Sequence, residues 1–164
     1  MKTLLLMRHA KSSWEHPALD DHDRPLNPRG ERDAPRMGAL IAAEGLVPDL
    51  ILTSSARRAV ETADAVAANC GYAGEVQTAP GIYAGGPAGY LAAVRGLTGS
   101  VERVLLIGHN PSVEQLLFRL TGQAISLPTA GLAQIELPII GWKALSPQTD
   151  GALINLWLPK DLEV

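Results

Sequence analysis

A chain of 164 residues has the length of one domain, about 100–200 residues, which excludes a large multidomain enzyme. With 46% hydrophobic residues, 19% charged residues and a net charge of −3, it is neither a disordered tail nor a general nucleic-acid binder. The one cysteine, Cys70, excludes a disulfide framework and a cysteine zinc site, and fits a reducing, cytoplasmic compartment.

In chain order, the first element is TLLLM at residues 3–7. The run stops at Arg8 and His9, too short for the 7–15 apolar residues of a signal peptide. It reads as a strand buried on both faces. No stretch approaches the roughly 20 apolar residues of a membrane span. Residues 15–29 are polar, carry three prolines and show no period, so they read as a loop. Residues 30–44 place Ala34, Met37, Leu40 and Ile41 on one helical face. A short strand at 50–52 is followed by Thr53, Ser54 and Ser55, candidate N-caps for an alanine-rich helix over 56–68. The glycine-rich segment 82–90 (IYAGGPAGY) reads as a turn near the site, without the GxxxxGK[ST] of a phosphate-cradling loop. VLLI at 104–107 is a strand ending in Gly108-His109-Asn110-Pro111, and a helix follows over 112–120. LAQIEL at 132–137 and LINLWL at 153–158 are two late strands, joined by a Gly/Pro/Ser-rich connection containing Trp142 and expected to form an antiparallel edge. The alternation of strand and helix predicts a doubly wound α/β domain over residues 1–164, a three-layer α/β/α sandwich with a mostly parallel sheet.

Ligands in such sheets bind outside the carboxyl ends of the strands. Three strands end there in polar signals: Arg8-His9, Ser54-Ser55 leading to Arg57-Arg58, and His109. Adjacent parallel strands would bring two histidines and two arginines to one crevice. Guanidinium forks match phosphate oxygens. A histidine beside them can take a phosphoryl group covalently, and the remaining cations would stabilise its equatorial oxygens.

These residues carry a family resemblance. RHAKSSW at 8–14, Arg24-Pro25-Leu26 before Gly30, SSARRAVET at 54–62 and GHNPSVEQLL at 108–117 together resemble the histidine phosphatase superfamily, with its phosphoglycerate mutase-like fold, and most of all its SixA-like phosphohistidine phosphatase branch. The four motifs occur in the family's order across residues 1–121. The resemblance implies that His9 is phosphorylated during turnover, that Arg8, Arg58 and His109 line the phosphate pocket, and that water hydrolyses phospho-His9. Arg24 and Ser12 are the further candidate substrate-binding residues. No metal and no cofactor is implied.

Two departures, Ala10 for glycine and Ser55 for proline, leave this chemistry untouched unless position 10 needs positive φ. A third bears on substrate. Mutase-like relatives that cleave alkyl phosphates carry a Glu after the third strand, yet no Asp or Glu occurs between Glu75 and Glu102. An alkoxide needs a proton in the transition state, an effect of about 10²–10⁴-fold, whereas phosphohistidine leaves as imidazole from a labile P–N bond. The expected substrate is therefore a phosphohistidine on a signalling or phosphotransfer protein. A small phosphomonoester, or a non-catalytic phosphohistidine-binding module, stands as the alternative; neither nucleic acid nor membrane is an expected partner, and the oligomeric state is left open. Asp20, Asp21 and Asp23 are read as solvated loop carboxylates, the reserve for a missing acid. Arg57 reads as a surface residue, Cys70 as a buried helix-end residue, and His16 and His22 as loop residues. Glu114 either hydrogen-bonds the pocket or supports its helix's first turn.

Overall fold

The apolar runs become strands because both of their faces are covered. In this computed structural model, which describes residues 1–162, the strands are β1 (Lys2–Arg8), β2 (Leu50–Thr53), β3 (Val76–Thr78), β4 (Arg103–Gly108), β5 (Leu132–Leu137) and β6 (Ala152–Trp157). The helices are α1 (Pro28–Ala43), α2 (Arg57–Cys70), α3 (Gly81–Ala84), α4 (Gly86–Arg95) and α5 (Ser112–Thr121). Successive strand side chains point to opposite faces. Leu4, Leu6, Leu52 and Leu106 join one core with Tyr90, Leu91 and Val94 of α4 and Val113, Leu116 and Leu117 of α5. Leu5, Met7, Ile51, Leu105 and Ile107 join the other with Met37 and Ile41 of α1 and Ala59, Ala63 and Val66 of α2. Two cores on one sheet make the three layers.

The strand order is β3-β2-β4-β1-β5-β6. The first four are parallel. β5 and β6 run antiparallel, the edge expected from residues 132–158. Trp142, in the connection between them, is 1% exposed and sits in a 3-10 turn over Trp142–Ala144. Among the described residues no helix is long and apolar enough to cross a membrane.

The structure corrects the sequence reading in three places and adds one strand, β3, that it did not name. The segment 82–90 is not a turn: it belongs to α3 and α4, folded tightly on each other. A Cβ at Gly85 or Gly89 would strike the carbonyl of Gly81, so the glycines that lower helix propensity are what let the two helices meet. β3 has three residues, too few to show a period. α1 begins at Pro28, earlier than its apolar face, because the Asn27 side chain accepts the Gly30 N–H at 2.9 Å and proline suits the first turn. Finally, Thr53, Ser54 and Ser55 do not cap α2 through side chains. Its N-cap is Ala56, and Ser54 Oγ instead accepts the Ala56 N–H at 3.1 Å.

Candidate active site

The β1–β4 register sets Arg8 opposite Gly108, and the His9 N–H donates to the Gly108 carbonyl at 3.0 Å. His9 and His109 therefore leave the sheet side by side, ring centroids 5.1 Å apart. One strand over, β2 pairs Thr53 with Ile107; its end delivers Ser54, and the first turn of α2 delivers Arg58. The convergence expected at the strand ends occurs: Arg8, His9, Ser12, Arg24, Arg58 and His109 all line one pocket of about 180 Å³, with Lys11, Trp14, Asn110 and Thr129. No carboxylate is among these lining residues.

His9 is 7% exposed. Its Nδ1 lies 2.7 Å from the Ala10 carbonyl. A carbonyl only accepts, so Nδ1 carries the proton and Nε2 keeps its lone pair. Burial, with the nearby His109, Arg58 and Arg8, pushes the His9 pKa down to about 3, against an opposing contribution from the Ala10 hydrogen bond. The imidazole is neutral at neutral pH. Ala10 takes no positive φ, so alanine is tolerated there, and its N–H donates to Thr62 Oγ1 at 3.0 Å.

His109 is held at both nitrogens. Arg58 Nη2, a donor only, approaches Nδ1 at 3.4 Å, and Nε2 lies 2.7 Å from Ser54 Oγ, so Nε2 carries the proton. Burial first, then Arg58, lowers its pKa to about 4. Its backbone is fixed by Tyr90, whose hydroxyl accepts the His109 N–H at 2.9 Å. A side chain at Gly108 would collide with the Tyr90 hydroxyl and ring.

Each arginine is aimed by acceptors. Arg8 Nη1 donates to the Leu127 carbonyl at 3.2 Å. That carbonyl is held by Asn110 Nδ2 at 3.0 Å. Glu114 Oε2 in turn accepts from Asn110 Nδ2 at 2.7 Å and from the Leu127 N–H at 2.8 Å. Glu114 thus serves the pocket from behind. It also borders a larger groove of about 520 Å³ along α5, between Phe118 and Ile125. Arg24 donates from Nε to the Ser13 carbonyl at 3.1 Å, from Nη1 to Asp21 Oδ1 at 2.8 Å and from Nη2 to Ser12 Oγ. Its guanidinium stacks on Trp14, 3.3 Å from the ring centroid. Arg58 donates from Nη1 to the Asp21 carbonyl at 2.7 Å and from Nη2 to Asp21 Oδ2 at 3.0 Å.

Asp21 is thus no solvated loop carboxylate, which corrects the sequence reading. A 3-10 turn over Asp21–Asp23 carries it to two pocket arginines, and the Tyr83 hydroxyl donates to Oδ2 at 2.8 Å. Burial pushes its carboxyl up, but the hydrogen bonds from Tyr83, Arg24 and Arg58 outweigh this and hold it down at about 2. It is ionised at neutral pH, an acceptor with no proton to give. Arg57, by contrast, sits outside the pocket, on Glu61 at 3.1 Å, and Cys70 is buried at the end of α2. His22 meets Ser55 Oγ at 2.9 Å and the Tyr83 ring edge-on. Among the described residues no group of three or more His, Cys, Asp or Glu side chains is placed to hold a metal ion.

The sequence reading placed Tyr83 near the pocket and named Asp21 only as a reserve acid; it missed Tyr90 and the Leu127 carbonyl. Tyr90 left a signal, a large side chain among glycines next to the second histidine strand.

The model of the histidine phosphatase superfamily (branch 1) matches residues 4–83. An uncharacterised protein of Mycobacterium tuberculosis is 30% identical over 94% of this chain and 100% of its own length. An uncharacterised chloroplastic protein of Arabidopsis thaliana is 33% identical over 82% of this chain, which spans 66% of that protein. Among solved structures, a protein assigned as the phosphohistidine phosphatase SixA of Agrobacterium tumefaciens superimposes with a TM-score of 0.82 at 29% identity, covering 96% of this chain and 98% of that one. The six-stranded sheet with its antiparallel edge is the phosphoglycerate mutase-like fold, and the chain is a phosphatase of the histidine phosphatase superfamily, in its SixA-like branch.

Proposed function

We propose that this protein removes phosphate from phosphohistidine on a protein, through a phospho-His9 intermediate. The observation that carries this reading is a buried neutral imidazole, His9, with Nε2 free at the floor of a small cationic pocket that has no carboxylate among the described residues of its lining. The lone pair of Nε2 attacks phosphorus. The P–N bond of the substrate breaks, and its electron pair leaves on the substrate imidazole. Arg8 and Arg58 take the equatorial oxygens, and the His109 Nε2–H turns to them from Ser54 Oγ; the three stabilise the charge in both steps. Water then attacks phosphorus, the P–Nε2 pair returns to His9, and the water proton passes to solvent. Arg24, with Ser12 beneath it, completes the anion-binding wall.

Two features favour phosphohistidine over an alkyl ester. The pocket is smaller than the roughly 300–1,000 Å³ of ordinary small-molecule sites, so it takes a phosphate and the group next to it, not a whole metabolite. The carboxylate that binds the pocket arginines, Asp21, is ionised and held by two guanidiniums. An imidazole leaving group needs less protonation than an alkoxide, which without an acid forfeits about 10²–10⁴-fold.

The test is loss of label from a phosphohistidine-bearing protein, set beside a panel of phosphomonoesters, for the wild type and His9→Ala. His9-dependent turnover of phosphohistidine, with an acid-labile, base-stable phosphoenzyme in the wild type, is expected. A higher kcat/KM on one small ester would overturn the substrate assignment. Turnover that survives His9→Ala would overturn the mechanism.

A further inference from the structure

Among the described residues, Trp14 is the one large aromatic side chain, besides the two histidines, that lines the catalytic pocket, and it is 74% exposed. An indole left in water at a pocket mouth stands out more than a scattered surface apolar residue. It is also held rigidly. One face lies on the Arg24 guanidinium, and Arg24 is 6% exposed, tied to Ser13, Asp21 and Ser12 by three hydrogen bonds. The other face is open. A fixed indole with one free face is a stacking surface for a planar ring.

The geometry of displacement says what reaches it. His9 is buried at the pocket floor, so a phosphate seated on the arginines is attacked from below. In-line displacement puts the leaving group on the opposite side of phosphorus, at the mouth. We infer that Trp14 is the specificity-determining residue for the leaving group: its free face stacks on a planar aromatic ring bonded to the phosphate, the imidazole of phosphohistidine in the reading above, on which this inference rests. The nature of the contact explains its selectivity. A ring meets the indole face to face and sheds water, while a flexible alkyl chain loses rotational freedom for little contact.

The test compares Trp14→Ala and Trp14→Phe with the wild type on N-phosphoimidazole, phenyl phosphate and an alkyl phosphomonoester, with orthophosphate inhibition measured alongside. Trp14→Ala should lower kcat/KM on both aromatic substrates by roughly tenfold, the order of one stacked ring, while the alkyl ester and the orthophosphate inhibition constant stay unchanged. Trp14→Phe should retain most of the activity. Equal losses on all three substrates with weaker orthophosphate inhibition would overturn the inference, because Trp14 would then only steady Arg24. A loss confined to protein-borne phosphohistidine would also overturn it, since the indole would be touching the carrier. Binding of phenylphosphonate against methylphosphonate reads the same contact without turnover. The wild type should prefer the phenyl compound, Trp14→Ala should not, and equal wild-type affinities would refute the stack. If phenyl phosphate shows the Trp14 dependence while N-phosphoimidazole is not a substrate, the proposed function fails and the stacking role stands.

Discussion

Glu114→Ala tests how the pocket is aimed. Glu114 Oε2 accepts two hydrogen bonds, from Asn110 Nδ2 at 2.7 Å and the Leu127 N–H at 2.8 Å, and the carbonyl of that same Leu127 receives Arg8 Nη1 at 3.2 Å. Each hydrogen bond to a charged acceptor contributes about 1.5–3 kcal/mol. After truncation Asn110 keeps its second acceptor, the Leu127 carbonyl, and Glu114 borders an open groove from which water can enter the space it vacates, so the cost falls at the low end, about 3 kcal/mol in all. For a chain of this length that is a Tm lower by about 6–12 °C. The readout that separates aiming from mere stability is orthophosphate inhibition. With its carbonyl anchor loosened, Arg8 should bind phosphate roughly tenfold more weakly, a cost of about 1.4 kcal/mol. Glu114→Gln keeps an acceptor oxygen in place and should recover most of both losses. A lowered Tm with an unchanged inhibition constant would show that Glu114 holds the loop without aiming Arg8. Wild-type values for both would refute the network altogether.

Three further outcomes follow from the same geometry. Gly108→Ala puts a methyl group into the Tyr90 hydroxyl and ring, an overpacking cost of about 1–3 kcal/mol; urea denaturation should show it, kcat/KM should fall as Tyr90 leaves the His109 backbone, and Tyr90→Phe should do less harm. Asp21→Asn removes a negative charge from two guanidiniums that a phosphate would use; since a half-exposed ion pair is worth only about 0–1 kcal/mol, orthophosphate inhibition should strengthen a few-fold, and weaker inhibition would mean that Asp21 positions the arginines more than it competes for them. Stability should fall as pH drops from about 6.5 towards 4, because the unfolded imidazoles take up protons that folded His9 and His109, with pKa values of about 3 and 4, refuse. At pH 4.5 each contributes up to about 2.7 kcal/mol of this loss, so urea unfolding of His9→Asn should show a shallower pH slope than the wild type, and an identical slope would sink the argument.

The parts of the molecule legible in the sequence are those where a local pattern and a buried environment coincide. TLLLM and VLLI read as two-sided strands because they pack on helices on both faces, and their register then made Arg8, His9 and His109 neighbours. Arg58 was legible because α2 starts where β2 ends. Asp21 was not. Its loop has no period, and only the pairing of the Ser13 N–H with the Pro25 carbonyl and of Ser12 with Leu26 folds that loop back so that a 3-10 turn can present the carboxylate to Arg24 and Arg58. The helices over 81–95 were hidden for a related reason. Glycine is a poor helix former on its own, and the close approach it permits between Gly81, Gly85 and Gly89 is a tertiary gain that no window of sequence contains.

The two histidines look equivalent in sequence, each one residue past the end of a parallel strand. The structure makes them unequal. Both nitrogens of His109 are engaged, Nδ1 by Arg58 and Nε2 by Ser54, so its lone pair faces a cation and its one proton, on Nε2, is all it has to offer a phosphate oxygen. His9 has only Nδ1 engaged, by a carbonyl that fixes the tautomer, and Nε2 is left with a lone pair at neutral pH. A nucleophile needs that lone pair, and a group that stabilises charge does not. The variants should therefore fail differently. His9→Asn should form no phosphoenzyme on any time scale, since among the described residues the other pocket imidazole, His109, has its lone pair on Arg58. His109→Asn should still form it, at a rate lowered by roughly 10²–10³-fold, the order of one lost donor to the transferring oxygens. Rapid-quench labelling under alkaline conditions distinguishes the two. A labelled phosphoenzyme in His9→Asn, absent in His109→Asn, would reverse the roles and with them the tautomer argument.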